Sequence, residues 1–176
     1  MSKDQQNFVV RAEKAFEFRH VISHPWNPGT VVPGTNLDQL TGLTRSRIRL
    51  VRLGPGKVAS LYHSQHCEEE WIYVLQGQGS VEIEETQYPL GPGDFVGFSA
   101  PTTPHQLRNP SKKSLLCLMG GSRTEVDMAE FPRDGKRMLR RGDSMEVYDT
   151  ADAEEAGPTN MDEQLLRNLR KRPPQP

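Results

Sequence analysis

GPGKVASLYHSQHCEEEWIYVLQGQG, residues 54–79, decides how this chain folds. It opens on Gly54-Pro55-Gly56, a turn in which glycine supplies positive φ and proline a fixed one. Two alternating runs follow, Ala59–Gln65 and Glu70–Gln76, and the stretch ends on Gly77 and Gly79. In a strand, residues two apart share a face. Glu70, Ile72 and Val74 therefore line one face, and His63 and Gln65 line one face of the run before.

The same texture continues on both sides. Arg47–Leu53, Ser80–Glu84, Gln87–Leu90, Asp94–Phe98, His105–Asn109 and Leu115–Met119 are further short alternating runs. A spacing of roughly 8–12 residues with turn signals between runs is that of a β-sandwich or barrel. Arg47–Leu53 sets Ile48, Leu50 and the stem of Arg52 on one face, and Arg47, Arg49, Val51 and Leu53 on the other. Neither face is wholly polar, which predicts a strand covered on both sides. No helical periodicity interrupts 46–121, so the fold class is all-β.

The 176 residues suit one domain with extensions. Residues 1–45 read as an N-terminal arm packing on the barrel, with an irregular stretch at 24–36 rich in Pro and Gly. Residues 46–121 are the barrel and 122–149 its C-terminal extension, with one strand expected at Lys136–Arg140. Residues 150–176 pass from acidic and turn-rich to basic and proline-rich and are read as a flexible, disordered tail; a short helix capped by Thr159 is the other reading.

Two segments resemble the motifs of the cupin superfamily. Glu70 is followed by six residues and Gly77, and His63 stands seven residues before Glu70. Further on, YPLGPGDFVGFSAPTTPHQLRN (88–109) carries Gly93-Asp94 and a His105 four residues before Asn109. The resemblance covers about residues 43–121 and implies a double-stranded β-helix, or jelly roll, with a pocket at one mouth. The chain departs from the pattern at the site itself. Gln65 takes the place of the second histidine of the His-x-His pair, and His66 follows one residue later. Ser99 and Pro101 replace a proline and a glycine of the second motif, and one extra residue precedes His105.

The resemblance brings the starts of these strands together, so His63, Gln65 or His66, Glu70 and His105 are the candidate ligands of a divalent metal ion: Fe, Zn, Mn, Ni or Cu. Imidazole suits the later transition metals, and two His plus one carboxylate is the ligand set of many non-haem iron oxygenases. A plain hydrogen-bonded cluster of the same residues is the alternative. Strand parity turns Gln65 inward and His66 outward unless the strand bends early. Glu70 is also the candidate catalytic base. Glu68 and Glu69 read as a solvated turn, Lys112-Lys113 and Arg140-Arg141 as solvated charges, Cys67 as a small buried or semi-buried thiol rather than a ligand, and Cys117 as core.

Lys plus Arg number 22 against 23 Asp plus Glu, so no global field draws this chain to nucleic acid or a membrane surface. No secretory leader or apolar span is apparent, and a cytoplasmic protein with a small-molecule partner is expected. The function is either a metal-dependent oxygenase, isomerase or lyase acting on a small polar or aromatic molecule, or a non-catalytic binding or sensing module; a structural dimer with a vestigial pocket is a third reading. Phe8, Val9, Val10, Phe16, Phe18, Val21 and Ile22 give the arm too many apolar groups to hang free, and barrels leave edges that invite pairing. A homodimer is therefore expected. Light scattering at micromolar concentration should return twice the chain mass of 19.9 kDa; the monomer mass would overturn this.

Overall fold

The computed structural model describes residues 7–18, 20–24 and 26–154. Its strands are β1 (His20–His24), β2 (Asn27–Asn36), β3 (Ser46–Leu53), β4 (Ser64–Gln65), β5 (Glu70–Gln76), β6 (Gly79–Ile83), β7 (Thr86–Leu90), β8 (Phe95–Phe98), β9 (His105–Arg108), β10 (Leu115–Ser122), β11 (Val126–Phe131), β12 (Lys136–Arg141) and β13 (Ser144–Asp149). Two short helices, α1 (Ala12–Ala15) and α2 (Leu37–Thr41), flank the first hairpin. No helix among the described residues is long and apolar enough to cross a membrane.

Three antiparallel sheets form, in the orders β1-β2-β3-β10-β5-β8, β13-β12-β11-β4 and β7-β6-β9. The period-two reading of β5 holds: Ile72 and Val74 are 2% and 1% exposed, while Tyr73 and Leu75 are each 38% exposed. The inward sets of β3, β5, β6, β9 and β10 meet in one core containing Val51, Leu53, Ile72, Val81, Leu107 and Cys117. Burial pushes the Cys117 thiol up to about 12, so it is a packing residue without nucleophilic character at neutral pH. A second, smaller cluster of Leu61, Ala129 and Phe131, packed by Trp26 and Met138, sits under β11 and β12.

The structure differs from the sequence reading in three stretches. Residues 24–36 are largely strand, not an irregular arm: β1 and β2 form a hairpin, and β2 joins β3 only through Gly34–Asn36. Pro33 lies where β2 pairs with β1 alone, as proline requires for want of an N–H. Residues 122–149 carry three strands rather than one, because the polar Asp127 at a buried position hides the alternation of β11 and every residue of β13 is exposed. In Ala59–Gln65 only Ser64–Gln65 is regular strand, and His63 joins β9 through an isolated bridge to His105. The tail from 155 onward, with Thr159, lies outside the described residues.

The largest correction concerns charge. Glu68 is fully buried rather than part of a solvated turn, and Arg140 is only 7% exposed. Glu68 Oε1 accepts from Arg140 at 2.5 Å and from the Thr124 backbone N–H at 2.8 Å. Its Oε2 faces the Arg47 guanidinium at 3.0 Å. One carboxylate thus ties β3, β12 and the β10–β11 turn together. Replacing one partner of a buried ionic cluster typically costs about 3–5 kcal/mol, because a charge is left uncompensated. Glu68→Gln should therefore lower the melting temperature by roughly 10 °C, read by circular dichroism; a loss of under about 2 °C would show that the cluster carries no such weight.

Candidate metal centre

His63 and His105 face each other across a single antiparallel rung. The His63 N–H donates to the His105 carbonyl at 3.1 Å, and the His105 N–H to the His63 carbonyl at 2.9 Å. Side chains of such a pair leave on one face, and the two rings lie 4.9 Å apart between centroids. Each Nδ1 meets the backbone carbonyl two residues earlier, Leu61 at 2.9 Å and Thr103 at 2.8 Å. A carbonyl only accepts, so each Nδ1 carries the proton, and the lone pair of the neutral ring is at Nε2. Phe98 stacks on His105 with centroids 3.7 Å apart, and Phe131 stacks on His63 at 5.9 Å. These contacts hold both imidazoles in place.

Glu70, the first residue of β5, projects between them. Its Oε2 lies 3.4 Å from His63 Nε2 and 3.3 Å from His105 Nε2. That oxygen is buried and has no aligned hydrogen-bond donor. Burial disfavours the Glu70 charge, but the adjoining imidazoles of His105 and His63 outweigh it and hold the carboxyl well below the usual carboxylate range. Burial likewise opposes a charge on His63, and the Glu70 carboxylate overcomes it, leaving the imidazole more basic than usual. His63, Glu70 and His105 offer ligand atoms all within 4.8 Å of one another, a group that could hold a metal ion. An orphaned carboxylate oxygen facing two Nε2 lone pairs is the donor set such an ion needs.

Gln65 is brought to the site and His66 is not. The Gln65 backbone is clamped by Thr102, whose hydroxyl accepts from its N–H and whose N–H donates to its carbonyl, both at 2.7 Å. The loop that precedes His105 thus fixes the inward turn of Gln65. Its Nε2 donates to Glu70 Oε1 at 3.1 Å, and its Oε1 accepts from Arg47 at 3.2 Å. The opposite amide orientation would set oxygen against carboxylate and NH2 against guanidinium, so the donors fix it. The carboxamide is therefore committed to orienting Glu70. Strand parity sends His66 outward, where its Nε2 lies 3.6 Å from Glu130 Oε1 and its side chain is 42% exposed. Cys67 is exposed, contrary to the sequence reading.

A cavity of about 170 Å³ opens beside the cluster. A water needs about 10–15 Å³ measured this way, so the space suits a small polar molecule and not a polymer. Ser60, Leu107, Met119 and Phe131 contribute to its wall, together with Arg47 and Arg49. Gly120 also lines it; a Cβ there would lie 2.4 Å from the Trp71 ring and 2.5 Å from the Arg47 carbonyl, so only glycine lets β10 pass. Sequence reasoning assigned no site role to Arg47, Arg49, Glu68 or Arg140. The signal for the first two was present, since Arg47 and Arg49 share the face of Val51 and Leu53.

The Cupin domain family model matches residues 49–120. No curated protein matches this chain significantly. Among solved structures, the "Putative sugar phosphate isomerase" from Acidithiobacillus ferrooxidans is 34% identical, with a TM-score of 0.77, covering 84% of this chain and 95% of its own. A sugar phosphate isomerase of the cupin superfamily from Silicibacter pomeroyi shares the fold at 23% identity, with a TM-score of 0.71, covering 77% of this chain and 88% of its own. The barrel, the histidine and glutamate positions at its mouth, and a relative matched over nearly its whole length agree: the chain belongs to the cupin family.

Proposed function

We propose that this protein is a metal-dependent isomerase of a small sugar phosphate, with His63, Glu70 and His105 as the protein ligands of one divalent ion. The observation that carries the metal reading is the convergence of two Nε2 atoms on a buried Glu70 oxygen that has no aligned donor. The substrate class is supported by the 34% identical relative from Acidithiobacillus ferrooxidans. Cytoplasmic location and a homodimer belong to the same proposal.

A divalent ion bound there would polarise a carbonyl or hydroxyl oxygen of the substrate. The chain's own residues shape the rest. Gln65 ties down Oε1 of Glu70, so Glu70 presents Oε2 alone to the cluster. Low proton affinity suits Glu70 to ligation better than to general base catalysis, which works best with a pKa near the operating pH. Aldose–ketose interconversion moves one proton between neighbouring carbons and a second between their two oxygens, and needs neither oxidant nor reductant. Leu107, Met119 and Phe131 in the wall limit water around the reacting carbons. The two-His, one-carboxylate set also favours an oxygenase as the second reading.

Three variants test the ligands by metal content per subunit after dialysis. His105→Ala should abolish retention. Gln65→Ala should weaken it by about 10- to 100-fold through loss of Glu70 orientation. His66→Ala should leave it unchanged; retention that depends on His66 and not on Gln65 would overturn the assignment.

Activity separates the readings. An isomerase loaded with zinc or manganese should wash deuterium from solvent into aldose and ketose phosphates without oxygen. Oxygen consumption that requires iron would favour the oxygenase instead. Metal retention with neither activity would leave a binding module.

A further inference from the structure

Two guanidinium groups and one carboxylate are the charged side chains that line the cavity: Arg47, Arg49 and Glu70. Glu70 is turned to the imidazoles, and Arg47 is engaged by Glu68 and Gln65. Arg49 differs. Its Nε donates to Asn36 Oδ1 at 2.6 Å, and among the described residues no carboxylate lies within ion-pairing distance of it. The side chain is half-buried, and its stem runs so close over Gly34 that a Cβ there would lie 3.2 Å from Cδ. A partly desolvated cation with no carboxylate in contact is costly. Burial, and next the neighbouring Arg47, lower its proton affinity, and the more distant charge of Asp38 offsets them only in part.

The support behind Arg49 is specific. Asn36 occupies the N-cap position of α2, yet its side chain caps nothing. Asparagine at that position usually stabilises a helix by about 1 kcal/mol. Here its oxygen instead accepts from Arg49, and its amide nitrogen donates to Gln39 at 3.0 Å. Gln39 holds Asn36, Asn36 holds Nε of Arg49, and the NH1–NH2 edge of the fork remains for a ligand. That edge matches two oxygens of a phosphate or carboxylate.

We propose that Arg49, positioned by Asn36, is the anion anchor of this cavity and binds the phosphate of a small phosphorylated ligand. The proposal rests on the sugar-phosphate reading only for the identity of the anion. Arg49 supplies two parallel donors, and Arg47 adds positive potential from the same face of β3. A ligand held by its phosphate at Arg49 extends its polar body across the cavity wall toward His63 and His105. An uncharged sugar of the same size lacks this anchor and binds more weakly.

The test is calorimetric titration of inorganic phosphate into full-length protein treated with chelator, so that no ion can bind the probe. Wild type should bind phosphate. Arg49→Met should bind about 10- to 100-fold more weakly, the loss expected for hydrogen bonds to a charged group, with an unchanged circular dichroism spectrum. Asn36→Ala, which keeps the guanidinium but frees it, should bind several-fold more weakly, and it decides the matter if Arg49→Met does not fold. Equal affinity in wild type and Arg49→Met, or no binding to wild type at about 10 mM phosphate, overturns the anchor. The two readings fail separately. Arg49-dependent phosphate binding in a protein that turns over no sugar phosphate keeps the anchor and removes the isomerase. Turnover by Arg49→Met at unchanged KM keeps the isomerase and removes the anchor.

Discussion

A single rung of backbone pairing, His63 against His105, is the constraint on which the rest of the site depends. Two N–H···O bonds fix the separation of the chains and the face from which both side chains leave. Everything else there refines that starting geometry. The carbonyls of Leu61 and Thr103 choose the tautomer, the Phe98 and Phe131 rings stop rotation, and β5 delivers Glu70 from the opposite sheet. The rung is not part of a long ladder. His63 lies just before β4 and is joined to β9 only by this bridge, so its neighbours on either side can bend away and leave the cavity open.

Around this rung the charges are arranged in depth. Glu70 sits innermost, Gln65 passes its orientation to Arg47, and Arg47 rests on the fully buried Glu68, which Arg140 neutralises from behind. A neutral amide stands where the family pattern has an imidazole. It replaces a donor with a hydrogen-bonded spacer that couples the inner carboxylate to a guanidinium. Low local dielectric strengthens each link and makes an unpaired member expensive. That arrangement explains why so polar a wall can be built inside a protein with a modest hydrophobic fraction.

The barrel was legible because its strands obey period two and its turns are marked by Gly and Pro. Glu70–Gln76 begins and ends where the alternation does. His63, Glu70 and His105 could be singled out because their spacing repeats a known pattern; parity turned Gln65 inward, but the sequence left an early bend, and with it His66, open. What failed to show was whatever depends on partners distant in sequence. Glu68 looks solvated in a run of three glutamates, and nothing local reveals that Arg140, seventy-two residues on, will bury it. β2 was hidden by its prolines, which are harmless only because that part of the strand pairs on one side. Arg49 is marked locally only by sharing the face of Val51 and Leu53; its meaning comes from Asn36 on a neighbouring strand and, among the described residues, from the lack of a carboxylate within ion-pairing distance.

The reach of Glu68 also imposes an order in time. Ribosomes add about 5–20 residues per second, so several seconds separate the synthesis of Glu68 from that of Arg140. Until β12 exists, the carboxylate must stay hydrated, and the wall around Arg47 lacks its backing. Contacts so far apart in sequence bear the full entropy of loop closure before they return any stability. The nascent barrel can collapse around Val51, Ile72 and Val81 well before its polar wall can close. Maturation of the pocket is therefore a late event in the life of the chain, governed by the arrival of a strand that does not line the inner core.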